Sequence, residues 1–322
     1  MLPKKNTFAF KLNLYVVLSI SLIGIVVFAS FYFISRGILL NMAEESARNI
    51  TEKNVNKIDA VIDKAAKLPL NFSKIVENNN PSEEELVMML RNIVANNEEI
   101  YGSAIAFEPF SYKEDKYFYS HYVFRDKGEI KISNLNDPNY EYFYQDWYQI
   151  PAHLQKPFWS EPYYDEGGGN ALMTTYSVPF YKSQYGMQKF WGIITVDIAL
   201  GWLDSLVSSI DIYETGFAFV ISYAGTFVTH PNSEFIMNHT IFSLSEEYNI
   251  PDLRSYGRKM IAEEKGFGKL NGVTIKADSR IYYTPFNSNE WSLGVIFPEK
   301  ELYADLNNLS IVIIIIGLFG LG

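Results

Sequence analysis

Apolar residues follow three different spacings along this chain, and each predicts a different element. Residues 12–35 are apolar almost throughout and contain no Asp, Glu, Lys or Arg, so as a helix they match a hydrocarbon core ~30 Å thick. Beyond Arg36 the apolar positions thin to Ile50, Val55, Ile58, Val61, Ile62, Ala65 and Leu68. That spacing is helical, and with no earlier proline in the segment one helix is predicted to run out of the membrane as far as Pro69. Ser82-x-x-Glu85 is a capping box opening a second helix, with Leu86, Met89, Leu90, Ile93 and Val94 as its buried stripe.

From Tyr101 the spacing turns to that of strands. Residues 101–107 and 117–124, a turn at Asp126-Lys127-Gly128, and residues 129–135 form the first group. A short helix is predicted over Asp146–Leu154, then strands at Ala171–Tyr181 and Phe190–Ala199. Leu200–Val207 reads as a linking helix. A second group of strands follows: a hairpin from Gly216–Ser222 and Thr226–His230, then Lys269–Ala277, Ser279–Pro285 and Trp291–Phe297. Helices leading two antiparallel sheets define an α+β class with two modules in tandem, not a parallel α/β fold.

A second apolar run starts at Leu309 and reaches the last residue, Gly322. It is shorter than the ~20 residues a crossing needs, and is expected to be the start of a second membrane helix in a longer natural product. Lys4, Lys5 and Lys11 precede the first span with no acidic residue among them. The positive-inside rule therefore puts residues 1–11 in the cytoplasm. The expected layout is a transmembrane helix at 12–35 and an extracytoplasmic region at 36–308. Within that region lie a stalk helix (36–80), a membrane-distal module (81–205) and a membrane-proximal module (206–300). The chain is thus expected to be a multi-pass protein of the inner (cytoplasmic) membrane.

The absence of cysteine excludes disulfides and thiolate chemistry. A net charge of −10 argues against nucleic acid, whose binding rests on Lys and Arg. No P-loop, G-x-G-x-x-G, G-x-S-x-G or H-E-x-x-H occurs. The four histidines are scattered without an i, i+4 pair, so neither a metal site nor a cofactor is expected. Gly167-Gly168-Gly169 reads as a hairpin or flap. Asp165-Glu166 beside it lacks a nucleophile, so no catalytic residue is assigned. Residues 139–165 are dense in tyrosine, with Trp147 and Trp159 beside Asp146, Glu161 and Asp165. Aromatic faces with carboxylates suit a desolvated ammonium group. An aromatic core with solvated carboxylates has the same composition.

Three blocks resemble the double Cache family of prokaryotic extracytoplasmic sensors. They are Asp146-Trp147-Tyr148 with Pro157–Tyr163, Trp191–Ile198, and Gly216–Phe219 with Gly225-Thr226 and His230-Pro231. The resemblance implies two PAS-like modules on a long N-terminal helix, with small molecules bound in the distal module. It also implies site residues at Tyr140, Gln145, Asp146, Trp147, Tyr148, Tyr163, Asp165 and Asp197. Family members that bind amino acids carry an arginine where Gln145 stands, and a neutral amide does not replace its bidentate grip on a carboxylate. The implied ligand is therefore first an amine-like cation and second an amino acid held in another way. Asp146 either adds to the negative pocket or caps the following helix.

The resemblance further implies a homodimer along the 36–68 helix and a ligand-biased conformational equilibrium. A cytoplasmic output domain of kinase, chemotaxis, cyclic-di-GMP or PP2C phosphatase type would follow. The rival expectations are a membrane-anchored enzyme using Asp165 and Glu166, and an ectodomain with a structural role.

Overall fold

A computed structural model describes residues 8–136, 140–184, 186–271, 278–304 and 311. One helix, α1 (Phe8–Asn78), takes up the first 71 of them. None of its most apolar window is buried inside the protein, as expected for a segment with lipid as its solvent. From Ala47 onward one face turns inward and buries Val55, Ile58, Ile62, Ala65, Phe72 and Val76. The expected second membrane segment, Leu309–Gly322, lies outside the described residues apart from Ile311.

The helix does not stop at Pro69 as the sequence predicted. Proline removes one i→i−4 hydrogen bond, at a cost of ~3 kcal/mol. Past it, however, Phe72 and Val76 are almost fully buried, and each contributes about 1.5–3 kcal/mol. Continued burial outweighs the lost bond, so the helix runs on to Asn78.

Helix α2 (Glu83–Ala95) starts at the predicted capping box, with both reciprocal bonds between Ser82 and Glu85 formed. It covers one face of a seven-stranded antiparallel sheet. That sheet contains β1 (Gly102–Phe107), β2 (Ser120–Asp126) and β3 (Glu129–Ser133). The β2–β3 turn has Lys127 and Gly128 at positive φ, the conformation of a tight hairpin. Helix α3 (Asp146–Leu154) follows, then short strands β4 (Phe158–Trp159) and β5 (Tyr163–Tyr164), which the sequence reading passed over. The long hairpin β6 (Leu172–Gln184) and β7 (Met187–Ala199) completes the sheet, whose order is β3-β2-β1-β7-β6-β4, with β5 also on β6.

Helix α4 (Leu200–Ser208) leads to a second antiparallel sheet of order β10-β11-β12-β8-β9. Its members are β8 (Phe217–Ile221), β9 (Phe227–Thr229), β10 (Gly266–Leu270), β11 (Ser279–Pro285) and β12 (Ser292–Pro298). Helices α5 (Ile241–Glu247) and α6 (Pro251–Ile261) lie between β9 and β10, and were not anticipated. A short α7 (Glu299–Leu302) follows β12. Strand β10 begins earlier than the expected Lys269, while 272–277 fall outside the described residues. Glycine explains the shift. A Cβ at 268 would come within 2.1 Å of the Tyr256 hydroxyl, which instead donates to the Lys269 carbonyl at 2.8 Å.

Helix α1 packs on β6 and β7 of one sheet and on β11 and β12 of the other. Its buried face, the facing sides of both sheets and α4 form one continuous apolar core. Further contacts join the modules directly. Trp159 lies 5.6 Å from Trp291 between ring centroids, and Ser222 donates to Glu161 at 2.7 Å.

Candidate functional site

Strand alternation decides which side chains reach the far face of the first sheet. Along β7, Ile194, Val196 and Ile198 belong to the core shared with α1. Ile193, Thr195 and Asp197 must then point the other way. There they meet Ala104 and Tyr122 from the neighbouring strands and Tyr140, Tyr142, Trp147 and Tyr148 from the segment folded across that face. Asp197 is thus forced into a buried layer, 4% exposed.

Its partners come from strand register. Thr175 lies opposite Asp197 in β6 and donates to its Oδ1 at 2.8 Å. Tyr163 shares a 2.7 Å hydrogen bond with the same threonine hydroxyl. Gly102 pairs with Asp197 from β1. A Cβ there would lie 2.4 Å from the Tyr122 hydroxyl and 2.8 Å from Asp197 Oδ2, so glycine makes room for this polar layer. The Tyr122 hydroxyl is directed at Asp197 but falls outside the limits of a full hydrogen bond.

Asp165 is the second buried carboxylate, 5% exposed. It accepts from the Tyr140 hydroxyl at 2.5 Å and from the Gly169 amide at 2.5 Å. The Tyr140 hydroxyl in turn accepts from Trp147 Nε1 at 3.1 Å. Tyr101 donates to the Gly169 carbonyl at 2.6 Å. The glycine cluster therefore wraps the carboxylate. A Cβ on Gly168 would sit 2.3 Å from Asp165 Oδ2.

Burial raises the pKa of both acids. Asp197 is pushed up to about 7, chiefly by desolvation and further by the charge of Asp165. Desolvation also raises Asp165, opposed by its bonds from Tyr140 and Gly169. No lysine or arginine among the described residues acts on either carboxylate. Buried charges are ordinarily paired, and this pair has no cationic partner among the described residues. Among the described residues no group of three or more metal-ligating side chains occurs.

Outside this layer is a cavity of about 490 Å³ between α3, the 160–164 segment and Tyr223 of the second module. Gln145, Asp146, Trp147, Glu161 and Tyr163 line it. Trp147 and Tyr163 thus separate the cavity from the inner acids. Glu161 Oε1 is buried with no partner among the described residues, which adds an acceptor beside the cavity. Gln145 Nε2 donates to the Tyr140 carbonyl at 3.0 Å, holding the inner tyrosine rather than offering a charge. Asp146 is exposed in the first turn of α3.

Six of the eight residues singled out by sequence, Tyr140, Gln145, Trp147, Tyr163, Asp165 and Asp197, gather around the two acids and their partners. Asp146 sits at the cavity rim. Tyr148 packs in the same layer, fully buried, but sends its hydroxyl away from the acids, to Glu108 at 3.0 Å. The sequence reading missed Tyr101, Tyr122 and Thr175, and it named Glu161 only among the carboxylates of the aromatic stretch. The strand pairing of Thr175 with Asp197 was the available signal for the threonine.

Residues 86–205 match the family model of the methyl-accepting chemotaxis protein-like first PDC sensor domain. The chain is 24% identical over 157 residues to the methyl-accepting chemotaxis protein McpC of Bacillus subtilis (strain 168), a match that covers 48% of this chain and 20% of McpC. The chain thus spans about a fifth of that relative's length. Among solved structures, the extracellular domain mmHK1S-Z3, assigned to a histidine kinase, is similar with a TM-score of 0.72 at 22% identity, covering 83% of this chain and 98% of that one. The ligand-binding domain of the Pseudomonas aeruginosa PAO1 amino acid chemoreceptor PctB, in complex with L-Arg, gives a TM-score of 0.59 at 16% identity, covering 83% and 92%.

Proposed function

We propose that the chain is a double Cache sensor region of the kind found in chemoreceptors and histidine kinases, and that its first module binds a small organic cation. The observation that carries this reading is the buried pair Asp165–Asp197, to which no Lys or Arg among the described residues supplies charge. An ammonium group donating to both acids satisfies them, and Trp147, Tyr140 and Tyr163 supply aromatic faces for its alkyl part and its charge. Tyr163 stands between the outer cavity and Asp197, so entry proceeds from the cavity past its ring.

An amino acid is the second reading, favoured by the ligands named for the similar domains of PctB, with L-Arg, and Mlp24, with asparagine. Its α-carboxylate would have to be held without a cation at 145. Isothermal titration of the full chain in lipid nanodiscs against primary amines and amino acids separates the two readings. The amine reading expects amines to bind and Asp197→Asn to abolish that binding. Binding of amino acids but not amines refutes it.

The wider proposal is a receptor of the inner membrane that presents both modules outside and signals inward to a cytoplasmic output domain. The ligand acts by binding one conformation of the module better than the other. The exposed face of α1 is proposed as a homodimer seam, to be tested by cross-linking through single cysteines placed along it.

A further inference from the structure

The second module holds a cavity that the amine reading does not use. It measures about 500 Å³ and lies between the second sheet, the 230–235 turn, α5 and α6. That size falls within the ~300–1,000 Å³ of small-molecule sites. Four phenylalanines surround one imidazole there: the rings of Phe235, Phe227, Phe217 and Phe219 lie 4.9, 5.0, 5.6 and 6.2 Å from His230. Leu244, Leu253 and Ile296 complete the apolar wall. No Asp, Glu, Lys or Arg is among the lining residues.

The chemistry of the wall selects against charge. A charged ligand would be desolvated with nothing to pair it. His230 Nδ1 accepts the Asn232 amide at 2.9 Å, so in the neutral ring the proton sits on Nε2. Burial lowers the pKa of this histidine to about 4, which keeps the ring neutral in any ordinary medium. Nε2–H meets no acceptor among the described residues. The other polar side chains on the wall, Asn232 and Tyr248, also carry donors. The cavity therefore offers apolar surface and hydrogen-bond donors, with no charge.

We propose that the second module is a separate ligand site, for an uncharged aromatic molecule bearing one hydrogen-bond acceptor that receives His230 Nε2–H. The His-Pro pair after β9 then shapes a recognition wall, and the two modules read opposite chemistries: a cation in the first, a neutral ring in the second.

A shape-matched series tests this on the full chain in lipid nanodiscs, by isothermal titration and saturation-transfer NMR. Acetophenone is expected to bind one per chain, ethylbenzene about tenfold more weakly for want of the acceptor, and benzoate not at all. Benzylamine is expected only at the first site, where Asp197→Asn removes its binding. His230→Phe keeps the ring and removes the donor, so acetophenone should fall to the affinity of ethylbenzene while ethylbenzene is unchanged. Leu253→Trp fills the cavity and should abolish both, and should that variant not fold, His230→Phe still decides. Benzoate binding as well as acetophenone, acetophenone binding that ignores His230→Phe, or no binding by acetophenone overturns the proposal. So does a fatty acyl chain recovered at one per molecule by mass spectrometry, because it would make the cavity a lipid site.

Discussion

Replacing Asp197 with asparagine is expected to stabilise the protein while removing the proposed amine binding, and the gain should depend on pH in a calculable way. The carboxyl is 4% exposed, and its pKa rises from 3.8 to about 7 on folding. An acid with a higher pKa in the native state binds its proton more tightly there than when unfolded. Stability therefore falls with each pH unit between 3.8 and about 7, and the full penalty stands above that range. At about 1.4 kcal/mol per unit, the ionised group costs the unliganded fold about 4 kcal/mol at pH 8. At pH 5 the cost is under about 2 kcal/mol by the same linkage. The substituted amide carries no charge and keeps an acceptor for the Thr175 hydroxyl. For domains of 150–250 residues ~1 kcal/mol moves Tm by ~2–4 °C. Asp197→Asn should then melt ~8–16 °C above the parent at pH 8, with the gap less than half as large at pH 5. Tryptophan fluorescence melts of the full chain in nanodiscs from pH 5 to 8 measure it. A gap that does not change with pH, or a variant less stable than the parent at pH 8, refutes the claim that Asp197 is held charged at the expense of the fold.

Four other outcomes follow from contacts in the structure. Gln145→Arg restores a cation next to Trp147 and should shift binding from amines toward amino acids, read by titration calorimetry; unchanged selectivity would detach Gln145 from ligand choice. Tyr140→Phe removes the donor to Asp165 and the acceptor for Trp147, and should cost about 1–3 kcal/mol in thermal unfolding together with weaker amine binding. Ser82→Ala breaks the capping box of α2 and should cost about 0.5–2 kcal/mol without altering ligand affinity. Asp59→Ala strips the acceptor shared by the Asn287 and Ser288 amides at 3.2 and 3.0 Å, which should cost about 1–3 kcal/mol and raise hydrogen exchange in the 287–288 loop.

Much of the architecture was readable because its signals are local. The Ser82–Glu85 pair marks a helix start, Asp126-Lys127-Gly128 marks a turn, and the alternation along β7 assigns Asp197 to the polar layer. Helices α5 and α6 escaped because they are short and lie in a polar stretch, although Thr240 and Ser243 form a capping box and Pro251 occupies a first helical turn. Pro69 misled because its local cost is visible in sequence, while the burial of Phe72 and Val76 that outweighs it depends on tertiary structure. In the site, Asp165 stood out by its aromatic surroundings, and Asp197 only through the family resemblance. Tyr101, Tyr122 and Thr175 did not, since only sheet register brings them to Asp197. Tyr148 looked equivalent to its neighbour Trp147, yet helix α3 turns consecutive side chains to different partners, and Glu108 takes its hydroxyl.

The proline within α1 also has a mechanical meaning. Pro69 donates no hydrogen bond, so the Ala65 carbonyl lacks its usual helical partner. The rod can bend there more readily than elsewhere, at a point where it lies against the sheets. From Pro69 to Gly24, within the apolar segment, the helix is ~68 Å long at 1.5 Å per residue. Residues 47–66 of that length are packed into the core with both sheets, so modules and rod turn together, and a rotation of ~1° of the whole sweeps the membrane end through ~1 Å. In the receptor proposed above, a closure of a fraction of an ångström at the pocket would therefore reach the bilayer as a larger stroke.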